Sequence, residues 1–137
     1  MKKNQPSNEP DLKQLNRIID QIKKRGNLAG VVLSYEDGTL ITDNLNDKIQ
    51  KEIVLNNFNP MIASVFKSGE KLSQKVAGRN LVKIVAQLRN YSIIIIKCDD
   101  NDLFLALLVD HSSRVGPFFD DFNENIKTFI QEINNYI

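Results

Sequence analysis

The stretch YSIIIIKCDDNDLFLALLVD, residues 91–110, decides how this chain folds. Two apolar runs, Tyr91 to Cys98 and Leu103 to Val109, flank the polar turn Asp99 to Asp102. The longer unbroken one, Leu103 to Val109, is far short of the ~20 apolar residues that a membrane helix requires. As strands, both runs place apolar side chains on both faces, because successive residues point to opposite sides of a sheet. Strands of that kind lie in a sheet's interior with helices on either side.

Working outward, Leu81 to Leu88 alternates, with Val82, Ile84, Ala86 and Leu88 on one face and Lys83 and Gln87 on the other. Alternation fits an edge strand covered on one side only. Further upstream, Leu28 to Tyr35 is again apolar on both faces. It is followed by a tight turn, Glu36-Asp37-Gly38, and a shorter partner, Thr39 to Thr42. Short connections keep the first two strands paired and the last three in a meander. With the three doubly apolar strands inside, only the order 2-1-5-4-3 satisfies both conditions. The predicted fold is α/β, a five-stranded antiparallel sheet with one helix on one face and two on the other, topology αββαβββα.

The helices have their own signals. Asp11 reads as an N-cap, with Gln14 completing a capping-box pattern. Leu12, Leu15, Ile18, Ile19 and Ile22 then form one apolar stripe. Lys23, Lys24 and Arg25 favour the negative end of the helix dipole, and Gly26 is the expected left-handed terminator. Asp47 to Asn57 gives conflicting signals: Ile49 and Ile53 fit a helical turn, but Asn56 and Asn57 interrupt it. A middle helix is predicted from Asn59 as N-cap and Pro60 in the first position to Val76. Its expected apolar face is Ile62, Val65, Phe66, Leu72 and Val76, with Gly69 among them and Gly78 just past the end. A last helix opens at Gly116-Pro117, with a stripe of Phe119, Phe122, Ile126, Phe129, Ile130, Ile133 and Ile137. Met1 to Pro10 is polar and proline-containing and reads as a disordered tail, which leaves 11–137 as one domain.

Composition narrows the function. The 137 residues, 42% hydrophobic and 26% charged, suit one globular domain. Eighteen basic against seventeen acidic residues give a net charge of +1, not the basic excess of a nucleic-acid binder. Cys98 and His111 are the single members of their kinds, so zinc and Cys–His chemistries have no raw material. Cys98, ending an apolar strand, is expected to be a buried small hydrophobe. His111 stands beside Asp110, Ser112 and Ser113, but adjacency in sequence does not make a triad. No glycine-rich phosphate loop occurs. With no secretory signal and no membrane-length segment, the expected location is the cytoplasm.

The order of elements resembles the roadblock (dynein light-chain) family. The residues that carry the likeness are Asn27-Leu28-Ala29-Gly30-Val31-Val32-Leu33-Ser34 with the Glu36-Asp37-Gly38 turn, and Val109-Asp110 leading to the C-terminal helix. It spans about Leu12 to Tyr136. The resemblance implies a small dimerising platform, not an enzyme, that binds Ras-like GTPases or assembles larger complexes. It also implies that two copies pair along the third strand and the middle helix. Carried over by position, that interface comprises Leu81, Val82, Lys83, Ile84, Val85, Ala86, Gln87 and Gly69.

The residues themselves bear on this. Leu81 to Leu88 lacks proline and carries Lys83 as its only charge, so it is a long edge with little protection. It is guarded either by a second copy or by Lys83 together with Arg79 and Arg89 at its ends. On the middle helix, Ser64, Lys67, Lys71, Gln74 and Lys75 lie opposite the apolar stripe, with the lysines at i, i+4 and i+8. This basic ridge, flanked only by Glu70, is either a solvated face or a docking surface for an acidic partner or anionic lipid. Arg79 and Arg89 are candidates for an arginine finger offered to a GTPase, against the plainer reading of turn arginines.

The expected function is a non-enzymatic homodimeric adaptor that binds and regulates or localises a small Ras-like GTPase. Other roadblock or longin-like proteins are alternative partners; no cofactor is expected, and any membrane contact is indirect. The competing reading is a small ligand-sensing module, which needs an internal pocket with a few convergent polar groups. The inward positions here are Ile, Val, Leu and Ala, which favours a packed core.

Overall fold

In the computed structural model, residues 9–53, 55–76, 81–98, 102–114 and 122–137 are described. The first helix, α1 (Leu12–Gly26), begins as its cap predicts, with Asp11 accepting from the Gln14 N–H at 3.3 Å. The reciprocal half of the capping box does not form: the Asp11 N–H donates to the Tyr136 carbonyl at 2.8 Å and ties the two chain ends together. The helix ends one residue later than Gly26 suggests. Asn27, with φ 46, is the left-handed residue, while the Leu28 and Asn27 amides return to the Lys23 and Lys24 carbonyls. Asparagine tolerates this conformation, and its side chain anchors the turn by donating to the Ser112 carbonyl.

Five strands follow: β1 (Gly30–Tyr35), β2 (Leu40–Leu45), β3 (Lys83–Gln87), β4 (Ser92–Cys98) and β5 (Leu103–Val109). They pair antiparallel in the order β2-β1-β5-β4-β3. In the predicted interior, Val32 and Ile95 flank Ala106 from either side. β2 is not the short strand expected; it equals β1 in length, with a register shift at Leu33/Ser34. Gly38 closes the hairpin with φ 96, and Asp37 accepts from the Thr39 amide. That hydrogen bond holds the Asp37 carboxyl below its ordinary pKa.

The remaining helices differ most from expectation. Asp47 to Glu52 forms a short helix, α2, which buries Ile49 and stops where Ile53 turns extended. α3 (Leu55–Gln74) starts four residues before Asn59, so Asn59 and Pro60 lie inside it. Asn59 is not a cap, because its side chain is spent on the tertiary structure. Only 2% exposed, it donates to Ser34 Oγ at 2.8 Å and to the Gly38 carbonyl at 2.9 Å. The last helix, α4, covers Phe122–Asn135. Its predicted opening at Gly116-Pro117 and Phe119 lie outside the described residues, as does the side chain of Phe122. So do most of the expected tail, Gly78, Arg79 and Asp99 to Asn101.

The sheet thus separates two cores. On one face α1 and α4 bury Leu15, Ile18, Ile19 and Ile22 with Ile126, Phe129 and Ile133 against Val31, Leu33, Ile94, Ile96, Leu105 and Leu107. Each such side chain removed from water contributes roughly 1.5–3 kcal/mol. On the other face α2 and α3 cover Val32, Ile93, Ile95, Phe104 and Ala106, with Phe66 tilted on Phe104 at 5.5 Å. Cys98 is fully buried in the first core, as expected. The described helices therefore number two on each face, one more than predicted.

Candidate functional site

The third strand and the helix before it meet at the sheet's open end. β3 pairs only with β4, and among the described residues no strand lies beyond it. Ile84 and Ala86 turn toward α3 and are half-buried, while Lys83, Val85 and Gln87 are exposed on the opposite face. Leu81, also half-buried, packs with Ile84 under the helix; Val82 and Leu88 are exposed.

α3 is oriented over this edge by two neighbouring residues. Glu70 reaches Lys97 of β4 at 2.5 Å, so it does not flank the lysine ridge as the sequence suggests. Gly69, one residue earlier, faces Ile84 of β3 and Leu81 just before it. Turning further in the same sense around the helix leads past β3 to Val65, Leu72 and Met61. These three are exposed, Met61 and Leu72 by 69% and 67%, and Val76 follows in the next turn. The predicted apolar face is therefore split: Ile62 and Phe66 enter the core with Ala63, whereas Val65, Leu72 and Val76 are left exposed. Seven of the nine large exposed hydrophobic side chains among the described residues belong to α3, β3 or their flanks. Met61 stands outside the apolar face expected from the sequence. Its spacing to Val65 and Leu72 is the signal that an apolar line runs beside the buried one.

The other edge is treated differently. Along β2, Thr42 hydrogen-bonds Asn16, and Asn44 donates to Asp20 at 2.6 Å, both on α1. Asp43 sits on the opposite face, where burial raises its pKa. A carboxylate on an edge strand opposes pairing with another chain. β3 has no such guard beyond Lys83.

Ser64, Lys67, Lys71, Gln74 and Lys75 are all exposed, on the side of α3 away from the sheet. Lys67 also lines an open cleft of about 440 Å³ with Tyr35, Glu36, Asp37 and Asp102. Glu36 there has a raised pKa, from burial first and then from Glu70 and Asp102, with Lys97 and Lys67 opposing. A second open cleft, about 350 Å³, lies between β2 and α2 at Asp43, Leu45, Gln50 and Ile53. Both face solvent at the margins of the sheet, and neither is the internal pocket a ligand sensor needs.

The catalytic candidates are occupied otherwise. Burial pushes the Asp110 carboxyl up, but hydrogen bonds from Ser112 and Ser113 and the His111 charge outweigh it and hold its pKa low. Both serine hydroxyls donate to that carboxylate and shape the turn, with His111 exposed on it. Arg89 is exposed in the β3–β4 turn. Among the described residues no group of three or more His, Cys, Asp or Glu is placed to hold a metal ion, and no helix is long and apolar enough to cross a membrane.

Comparison with solved structures agrees with this geometry. The chain matches an MglB structure with a tetrameric arrangement at TM-score 0.76 and 10% identity, over 92% of each chain. Myxococcus xanthus MglB matches at 0.75 and 15% identity, over 91% of this chain and 95% of that one. A Roadblock/LC7 domain from Streptomyces avermitilis matches at 0.67 and 11% identity, over 88% and 94%. The fold is that of MglB and of Roadblock/LC7 domains, as the order of elements suggested. No protein-family model and no curated protein matches the sequence.

Proposed function

We propose that two copies of this chain pair through β3 and α3 into a non-enzymatic adaptor that binds a small Ras-like GTPase. The observation that carries this reading is the concentration of exposed apolar side chains at one sheet edge. Val85 on β3 and Val82 and Leu88 at its ends are exposed, and so are Met61, Val65 and Leu72 on α3 and Val76 just past its end. An unguarded edge and exposed apolar helix positions need cover. A second copy supplies both a strand for the edge and a matching helix for those positions. The interface should bury at least ~1,000 Å².

Residues 11–137 act as one domain, working in the cytoplasm without a cofactor or nucleic acid. In the pair, the ridges of Ser64, Lys67, Lys71, Gln74 and Lys75 come together on one side of the joined sheet. That side is the docking platform for the GTPase, whose acidic surface it complements. The fold shared with MglB supports the reading, since one MglB structure is described by its tetrameric arrangement. Light scattering of the full chain at micromolar concentration tests the pairing: a dimer mass is expected, and a monomer overturns it.

A further inference from the structure

The hydrogen bonds of β3 fix which of its residues a neighbouring strand can meet. The Leu88 amide donates to the Tyr91 carbonyl at 2.7 Å, and the Lys97 amide to the Val82 carbonyl at 3.2 Å. With Val85 opposite Ile94 in the same ladder, even-numbered residues direct their backbone groups toward β4. Lys83, Val85 and Gln87 therefore direct theirs to the outer edge. In an antiparallel pair of identical strands related by a two-fold axis, such residues must face one another.

We infer that the second copy pairs with β3 in a single register, centred on Val85, that sets Lys83 of each copy against Gln87 of the other. This rests on the dimer proposed above. Three arguments select the register among those the hydrogen-bond phase allows. First, it alone pairs all of Lys83–Gln87, with hydrogen-bonded pairs at Lys83/Gln87, Val85/Val85 and Gln87/Lys83; a slip by one step gives up part of that ladder. Second, slipping one way sets Lys83 against Arg89 of the other copy, and slipping two steps the other way sets Lys83 against itself. Like charges directly opposite destabilise a sheet. Third, the centred register sets Ile84 against Ala86 on the face under α3, a large residue against a small one. A one-step slip instead places Ile84 against Ile84, or Ala86 against Ala86. Gln87 is suited to its place, because its Oε1 already accepts from Ser92 Oγ at 3.0 Å and its side chain is held on that face.

Cysteine cross-linking reads the register directly. Opposed residues of a hydrogen-bonded pair have Cα atoms about 5.5 Å apart, within disulfide range. Under mild oxidation Val85→Cys should give a covalent dimer, while Ile84→Cys and Ala86→Cys should not. Cys98 is buried and stays in all three. A charge test needs no cross-link. Gln87→Glu should tighten the dimer about two- to thirtyfold, since two new Lys–Glu pairs form across the axis. In a Lys83→Gln background the same change should give no tightening. Cross-linking through Ile84→Cys or Ala86→Cys, or a dimer in light scattering that Val85→Cys does not lock and Gln87→Glu does not tighten, overturns the register and leaves the dimer standing. A monomer in light scattering overturns both.

Discussion

A Cβ placed on Gly69 of α3 would come within 2.5 Å of Ile84 Cδ1 on β3, so helix and edge strand are in contact through a missing side chain. Gly69→Ala gains about 1 kcal/mol of helix propensity. The clash falls on the far end of a flexible isoleucine, and the two effects should cancel to within about 1 kcal/mol. Gly69→Leu cannot be absorbed in this way and should cost about 1–3 kcal/mol by overpacking. Urea unfolding of both variants checks the pair. Equal stability for Gly69→Leu and wild type would mean that α3 does not sit on β3.

The buried Asn59 makes the second prediction. It joins α3 to the β1–β2 hairpin through Ser34 Oγ and the Gly38 carbonyl. Asn59→Ala should lower stability by about 2 kcal/mol, because both hydrogen bonds from α3 to the hairpin are lost. Amide exchange in the Glu36-Asp37-Gly38 turn should rise with it. Unchanged exchange there would show that the hairpin holds itself.

How legible these features were in the sequence depends on what each residue interacts with. The sheet order was readable because β4 and β5 are apolar on both faces, which only an interior position satisfies. The start of α3 was not. Asn59-Pro60 carries a strong local signal for a helix N-terminus, but the structure uses Asn59 in contacts 25 and 21 residues away in the chain. Local patterns carry no information about such contacts. Gly26 misled similarly, since glycine is the commoner left-handed terminator and Asn27 takes that role here. Of the candidate surface, the exposure of the lysines was readable from helical spacing. The splitting of the apolar face was not, because periodicity marks an apolar stripe without saying how much of it the chain itself covers.

Glu36 gives a prediction in pH. Its folded-state pKa is raised by burial, then by Glu70 and Asp102. A carboxyl raised on folding favours the folded state at acid pH, and that contribution is lost as pH rises from the ordinary carboxylate value through the raised one. Glu36→Gln should therefore be more stable than wild type at neutral pH, with the difference shrinking toward pH 4. Thermal melts at the two pH values measure it. Asp37 and Asp110, both lowered, act in the opposite sense: their contributions disappear as pH falls.

Val85 tests the dimer without touching the fold. It is 54% exposed in the single chain, so a charge there costs the monomer little. At the joined edge the two new carboxylates would stand directly opposite each other in place of an apolar Val85–Val85 pair, and like charges directly opposite weaken a sheet. Val85→Asp should run as a monomer in light scattering with the circular dichroism of the wild type. A variant that stays dimeric would place the interface elsewhere.

The last prediction concerns the lysines. Lys67 is not equivalent to the other two, because it lies in the cleft with Glu36 and Asp37 and acts on the titration of both. Reversing it would change the fold's own electrostatics, so the informative variant is Lys71→Glu with Lys75→Glu. Exposed ion pairs are worth only about 0–1 kcal/mol each, and at physiological salt they are screened within about 8 Å. The ridge should therefore steer the GTPase more than hold it. The double variant should melt like wild type and remain dimeric. It should associate with the GTPase several-fold more slowly at low salt, at a nearly unchanged dissociation rate. Raising the salt should bring wild type and variant together, because screening removes the attraction that only wild type has. Stopped-flow association across a salt series reads this directly. Equal on-rates at low salt would make the ridge a solvated helix face and move the docking site off α3.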